Sequence, residues 1–199
     1  ADIHANLTAL EAVLADIASQ RVDEVLANGD LVGRGPQGSA VVRRIRELGM
    51  HSSRGNHEDY LISFRKREVP EDWLESDEYA CHRWMTDELA AGDVEFIDQL
   101  PFTITSAVEP QLRLFHGSPR SHTEGLGVWT EEAVLREHFA SIDESVLVVA
   151  HTHRPATWRL DGGLIVNVGS VGLPFNGDAR AQYAIFDGEG TSFEVEQRY

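Results

Sequence analysis

The sequence predicts an α/β domain, and three patterns carry that prediction. Segments with a single apolar helical face alternate with short apolar runs through the first half. Past Pro101 the texture changes to a succession of strand-like runs interrupted by one helix. Polar clusters recur just after predicted strands, at Asp30, Asn56, His116 and His151 with His153. Carboxyl ends of strands are where ligands collect in α/β sheets.

Taken in order, Leu7, Leu10, Leu14 and Ile17 share one helical face, with Thr8 and Glu11 at capping-box spacing where that helix begins. Residues 23–27 read as a short buried strand ending at Asn28-Gly29-Asp30. Pro36 suits a first helical turn, Val41, Val42, Ile45 and Leu48 form the next apolar face, and Gly49 is a C′ stop. A short segment at 51–54 leads into Gly55-Asn56-His57, and a helix follows from Glu58. Residues 70–100 look helical, with Tyr79, Trp84, Leu89, Phe96 and Ile97 available for packing. Strands are expected at 102–107, 111–115, 146–150, 156–160, 164–167 and 181–186, with one helix at 131–139 and a mostly antiparallel second half. No repeat, low-complexity stretch or linker divides the chain, so residues 1–199 read as a single domain. Its 42% hydrophobic content is enough for one sizeable core.

Composition excludes several function classes. No run of about 18 apolar residues exists to span a bilayer. No signal peptide is visible, and no membrane partner is expected. Cys81 is the only cysteine, which rules out an internal disulfide framework and a cysteine-cluster metal site and fits a reducing cytoplasm. A formal net charge of −16 repels the phosphate backbone and disfavours stable nucleic-acid binding, although bound metals would create a local cationic site. The oligomeric state is left open.

Five short segments carry the chemistry. Asp2-Ile3-His4 places a carboxylate and an imidazole two apart on what reads as extended chain, so both point to one side. Gly29-Asp30 through Gly35 offers one carboxylate in a glycine-bounded turn, and Arg54-Gly55-Asn56-His57-Glu58 offers an amide oxygen and an imidazole. Phe115-His116-Gly117 ends a strand with one imidazole, and Ala150-His151-Thr152-His153 ends another with two. Each segment alone has a bland account: Asp2 as a helix cap, Gly29-Asp30 as a turn, His116 as a structural histidine, His-x-His as two satisfied imidazoles. Their joint occurrence after successive strands points to metal instead. Asp2, His4, Asp30, Asn56, His116, His151 and His153 are seven mixed N/O ligands, too many for one tetrahedral ion. They suit two ions sharing a carboxylate, and Mn, Fe, Zn or Co better than Mg or Ca.

In this order the segments resemble the calcineurin-like metallophosphoesterase superfamily, whose signature runs D-x-H, G-D, G-N-H-D/E, H, G-H-x-H. The resemblance extends from Asp2 to about Tyr183 and is nearest the small bacterial phosphodiesterase group, on residues 29–36, 167–174 and 177–183. It implies a four-layer αββα sandwich, two mixed β-sheets flanked by helices, with a buried strand ahead of Asp2 that is expected in the natural protein although this sequence starts at Ala1. It implies that Asp2, His4 and His153 bind one divalent ion, that Asn56, His116 and His151 bind the other, and that Asp30 bridges both. Manganese is the first choice of metal. It assigns His57 to the phosphate and the departing oxygen, and Arg34 to the phosphate. Ala5 and Ala150 stand for glycines common in the pattern, and Val168 for a proline. Gly33 stands where protein phosphatases carry an aspartate that orients the histidine matching His57, so His57 needs another partner, which the sequence does not name.

The implied activity is hydrolysis of phosphoester bonds, diesters first, by a hydroxide bridging the two ions. The substrate is a small phosphoester or nucleotide. Dinucleoside polyphosphates and phosphomonoesters are the alternatives within the enzyme class, and residues 29–36 also resemble diadenosine tetraphosphate hydrolases. A non-catalytic interaction scaffold of the same fold is the rival from another class, disfavoured because no ligand is missing. Trp73, Trp84, Trp129 and Trp158 are expected in core or rim rather than stacked on a base, and His51, His82, His122 and His138 at the surface or in packing. Backbone amides at Gly169-Ser170 are a candidate phosphate contact, and Arg120 and Arg154 are expected to be solvated.

Overall fold

The structure, a computed structural model, describes residues 1–189 and 192–199. Helix α1 (Leu7–Ile17) is capped by Asn6, whose side-chain oxygen accepts from the Ala9 amide at 3.0 Å. Thr8 and Glu11 therefore lie inside the helix rather than forming its capping box. Asn6 prevails because its amide also reaches the Gly172 carbonyl at 3.2 Å, tying the cap to a distant loop. Strand β1 (Leu26–Asn28) is shorter and later than the apolar run at 23–27 and pairs in parallel with β2 (His51–Ser53).

Helix α2 (Gly38–Glu47) begins after Gln37, leaving Pro36 just ahead of the cap. Gly49 takes φ +62° and donates to the Arg46 carbonyl, the left-handed stop that a side chain would strain. Helix α3 (Asn56–Lys66) starts two residues before Glu58. Residues 70–100 break into 3-10 turns at Glu71–Leu74 and Asp77–Tyr79, then α4 (Ala80–Glu88) and α5 (Ala91–Asp98). Leu89 and Ile97 are buried there, while Trp84 is exposed.

Strands β3 (Thr103–Thr105), β4 (Leu112–Phe115), β5 (Val146–Val149), β6 (Ala156–Leu160) and β7 (Gly163–Asn167) form one sheet in the order β3-β4-β5-β7-β6. The second half is mostly antiparallel as expected; within this sheet the antiparallel pairs are the edge ones, β3–β4 and β6–β7, while the central β4–β5 and β5–β7 pairs are parallel. The cause is connectivity. Helix α6 (Glu132–Phe139) lies in the crossover that returns the chain to the start of β5, and the β6–β7 hairpin brings β7 back beside β5 in the same direction. A final antiparallel hairpin, β8 (Tyr183–Glu189) with β9 (Ser192–Arg198), adds a strand that the sequence hid behind Glu194, Glu196 and Arg198.

Side-chain alternation stacks these elements into four layers. On β1, Ala27 packs with α1, α2 and α3, whereas Leu26 packs with Leu112, Leu114, Val146, Val148, Leu164 and Val166 of the five-stranded sheet. Ala184, Phe186 and Val195 of the hairpin join that second contact. The opposite face of the five-stranded sheet, Phe115, Leu147, Val149 and Ile165, covers Leu135 and Phe139 of α6. The order is thus helices, short ladders, five-stranded sheet, helix. Where two sheets were expected there are three: among the described residues β1 pairs only with β2, and β8 only with β9. Residues of both line a cavity of about 840 Å3, with Leu14, Leu112 and Val148 among its other walls. Among the described residues no helix is long and apolar enough to cross a membrane.

Candidate metal centre

The chemistry-bearing residues sit where the strands end. Asp30 follows β1, Asn56 opens α3 just beyond β2, His116 follows β4, and His151 and His153 follow β5. Asp2, His4, Asp30, His151 and His153 all adopt left-handed φ, between 49° and 63°. Side chains there cost about 1–3 kcal/mol each, a concentration of strain characteristic of functional sites. Asp2 and His4 are therefore in a turn, not on the extended chain expected from their spacing. The Asp2, His4 and Ala5 amides donate to the Gly29, Asp30 and Leu31 carbonyls, which wraps this segment around the loop after β1.

All seven candidate ligands meet. One oxygen or nitrogen from each of Asp2, His4, Asp30 and His153 lies within 4.8 Å of the others, and all four residues are buried. His4 Nε2 is 3.6 Å and His116 Nε2 3.3 Å from the same Asp30 oxygen, Oδ2. His153 Nε2 is 3.2 Å from Asp2 Oδ1 and 3.0 Å from His4 Nε2. Asn56 Oδ1 lies 3.1 Å from His116 Nε2 and 2.9 Å from His151 Nδ1.

Neighbours fix which ring atoms face inward. His116 Nδ1 donates to the Asn28 carbonyl at 3.0 Å and His153 Nδ1 to the Leu173 carbonyl at 2.6 Å. In a neutral ring each Nε2 then presents a lone pair to the centre, as a metal ligand must. Lone pairs consequently face lone pairs and carboxylate oxygens, and Asp2 Oδ1 is buried without a donor. Burial pushes the His116 imidazole down, yet Asp30 and Asp2 outweigh it and drive it up to about 10. His153 moves up for the same reason, burial being overcome by Asp2. The pocket favours positive charge, and divalent metal on these nitrogen and oxygen donors would supply it without protonating the rings.

Two sets of supports hold the ligands. Glu58 is fully buried, and its carboxylate accepts from the amides of Gly55, Asp30, Leu31 and Val32 at 2.7–3.2 Å. Burial and then Asp30 raise this carboxyl to about 7, while those four amides favour the anion. Gly55 is obligatory beneath it, because a Cβ there would stand 2.2 Å from Asp30 Oδ1. On the opposite side Asn167 Nδ2 reaches the Ala150 carbonyl at 2.8 Å and Thr152 Oγ1 at 2.9 Å, and Ser170 Oγ donates to the Asp2 carbonyl at 2.8 Å.

His57 borders the centre. Its amide donates to Asp30 Oδ1 at 2.9 Å, its Nε2 lies 4.0 Å from Asp30 Oδ2, and its Nδ1 lies 3.0 Å from His82 Nε2. The partner that the sequence left unnamed is therefore His82, assigned there to surface or packing; it is buried on α4, and no local spacing signals it. Burial lowers His82 to about 4. A cavity of about 300 Å3 opens here, lined by His57, Arg34, Tyr60, Tyr79, His82 and Phe175 among others. Arg34 is exposed and hydrogen-bonds to no described residue, so its guanidinium is free to meet an anion.

Other candidates lie outside. None of the four tryptophans lines this cavity, although Trp73 stacks on Tyr79 at 3.9 Å. His122 is tied to Asp59 and Phe102, and His138 is buried beside Glu124. The Gly169 and Ser170 amides are spent on Asn167 and Gln182, so they do not face a phosphate. Arg120 pairs with Glu137, and Arg154 donates to the Phe175 carbonyl.

Comparison with known proteins agrees with this geometry. The family described as calcineurin-like phosphoesterase matches residues 1–155. The uncharacterized protein MJ0912 of Methanocaldococcus jannaschii is 29% identical, over 98% of this chain and 83% of its own length. A metallophosphoesterase structure from Sphaerobacter thermophilus superposes with a TM-score of 0.78 at 29% identity, covering 100% of this chain and 86% of that one. The hypothetical protein PH1004 of Pyrococcus horikoshii shares the fold, with a TM-score of 0.82 at 19% identity over 98% and 84% of the two chains. This chain belongs to the calcineurin-like phosphoesterase family.

Proposed function

We propose that this chain is a dinuclear metal-dependent phosphoesterase, acting by preference on phosphodiesters of small molecules or nucleotides. One observation carries the proposal: Asp30 Oδ2 approaches both His4, at 3.6 Å, and His116, at 3.3 Å, so a single carboxylate joins two ligand groups. Asp2, His4 and His153 would hold one ion and Asn56, His116 and His151 the other, with Asp30 contributing to both. The mixed nitrogen and oxygen set suits manganese, iron, zinc or cobalt better than magnesium or calcium, and manganese is the first choice. When bound, such a pair of ions supplies positive charge to the phosphoryl oxygens and acidity to water.

The chain's own groups do the rest. Arg34, free beside the cavity, offsets charge on the phosphate. His57, held by its amide against Asp30, presents Nε2 to the departing oxygen and donates a proton or hydrogen bond there. Residues 1–199 act as one domain in this reading, in a reducing cytoplasm.

The test is a phosphoester panel on metal-stripped protein, with Mn, Fe, Zn, Co and Mg restored one at a time and bound ions counted. Two ions per chain and fastest turnover of a model diester are expected. Faster turnover of a monoester or of diadenosine tetraphosphate would move the substrate class. Two bound ions with no turnover of any ester would favour the interaction scaffold.

A further inference from the structure

We propose that His82 is the positioning residue for His57, a role that rests on the phosphoesterase reading above. The two rings meet through His57 Nδ1 and His82 Nε2 at 3.0 Å, with centroids 4.8 Å apart and planes inclined by 26°. This contact uses the edge of His57 opposite the one that faces Asp30, so it sets the direction of Nε2.

His82 has little freedom to do otherwise. Its side chain is buried, packed parallel to Phe64 at 11° and edge-on to Tyr60 at 85°. Thr86 Oγ1 donates to its carbonyl at 2.7 Å, and Cys81 Sγ lies 3.5 Å from its Nδ1. Two proton arrangements satisfy this chain of contacts. Cys81 donates to His82, which then donates to His57; or His57 donates to His82, which then donates to Cys81. Both pin the His57 ring with Nε2 aimed at the centre, but only the first leaves the proton of a neutral ring on Nε2, the form that can donate to a departing oxygen.

No side chain can substitute from the loop after β1. A Cβ at Gly33 would stand 2.2 Å from His57 Nδ1, in the space the ring occupies. Orientation is therefore delivered from α4, which makes the region at 70–100 part of the active site.

The experiment compares His82→Phe, His82→Gln and His57→Ala, alone and combined, on manganese-loaded protein. With a poor leaving group, His82→Phe should lower kcat by about 10–100-fold while KM and bound metal stay constant. With an activated aryl leaving group the loss should be below about 3-fold, since little proton donation is then needed. His82→Gln, whose amide still meets Nδ1, should recover most of the rate. In the His57→Ala background His82→Phe should add nothing. Equal losses with both leaving groups, or a further loss in that background, would overturn the proposal. An activity-independent readout accompanies it: the ring-nitrogen NMR signals of His57 in metal-free protein should shift in His82→Phe and stay near the parent values in His82→Gln. An unmoved His57 signal would overturn the contact. If the parent protein hydrolyses no ester, the phosphoesterase reading fails by itself, and the spectra still decide whether His82 holds His57.

Discussion

The two sides of the candidate metal centre are braced by opposite means. Around Asp30 and Asn56 a single buried anion, Glu58, gathers four backbone amides at the N-terminus of α3, where the helix dipole favours negative charge. Around Asp2, His151 and His153 the bracing is neutral and divided between Asn167, the last residue of β7, and Ser170 just beyond it. The first arrangement concentrates the site's order in one side chain. The second spreads it over several hydrogen bonds from two side chains, so that removing one side chain leaves the other in place.

That contrast can be broken from its shared point outward. Asp30→Ala removes the carboxylate that approaches His4 and His116 more closely than Asp2 does and should lower kcat/KM by about 10³-fold or more, with metal analysis showing loss of bound ions. Glu58→Ala strands four buried amides; urea denaturation should show a loss of about 3 kcal/mol or more, and turnover should fall about 100-fold as the Asp30 loop relaxes. Asn167→Ala, on the divided side, should cost about 1–2 kcal/mol and about 10-fold in rate, with metal binding through both His151 and His153 weakened but not abolished. Arg34→Ala should leave the urea midpoint unchanged and lower kcat/KM about 5-fold, less at high salt, because an exposed guanidinium acts through screened charge. If Glu58→Ala and Asn167→Ala proved equally damaging, the distinction between concentrated and divided bracing would not stand.

Different parts of the molecule were legible to different degrees. Long amphipathic segments such as Leu7–Ile17 and strong apolar runs such as Val146–Val149 declared themselves, because their patterns match the period of the element they form. β1 was displaced to Leu26–Asn28 because pairing with β2 selects the register, and local hydrophobicity does not. β9 escaped because Glu194, Glu196 and Arg198 put a charge at alternate positions, the first two exposed. The parallel central ladders were hidden because strand direction depends on the crossover, not on strand composition. Within the site, Gly29-Asp30, Gly55-Asn56-His57 and His151-Thr152-His153 stood out as donor-rich strand ends. His82 did not: a lone histidine on a helix looks alike whether it faces solvent or a second imidazole.

By itself the sequence determined the α/β class, the family and the inventory of donor atoms, since residue types and their order along the chain are local facts. Tertiary structure alone decided that Asp30 meets both His4 and His116, that Glu58 ties down the loop carrying Asp30, and that His57 leans on His82. Those contacts join residues 25 to 86 positions apart, and only the packing of layers, with its few permitted registers and directions, brings them within hydrogen-bonding range.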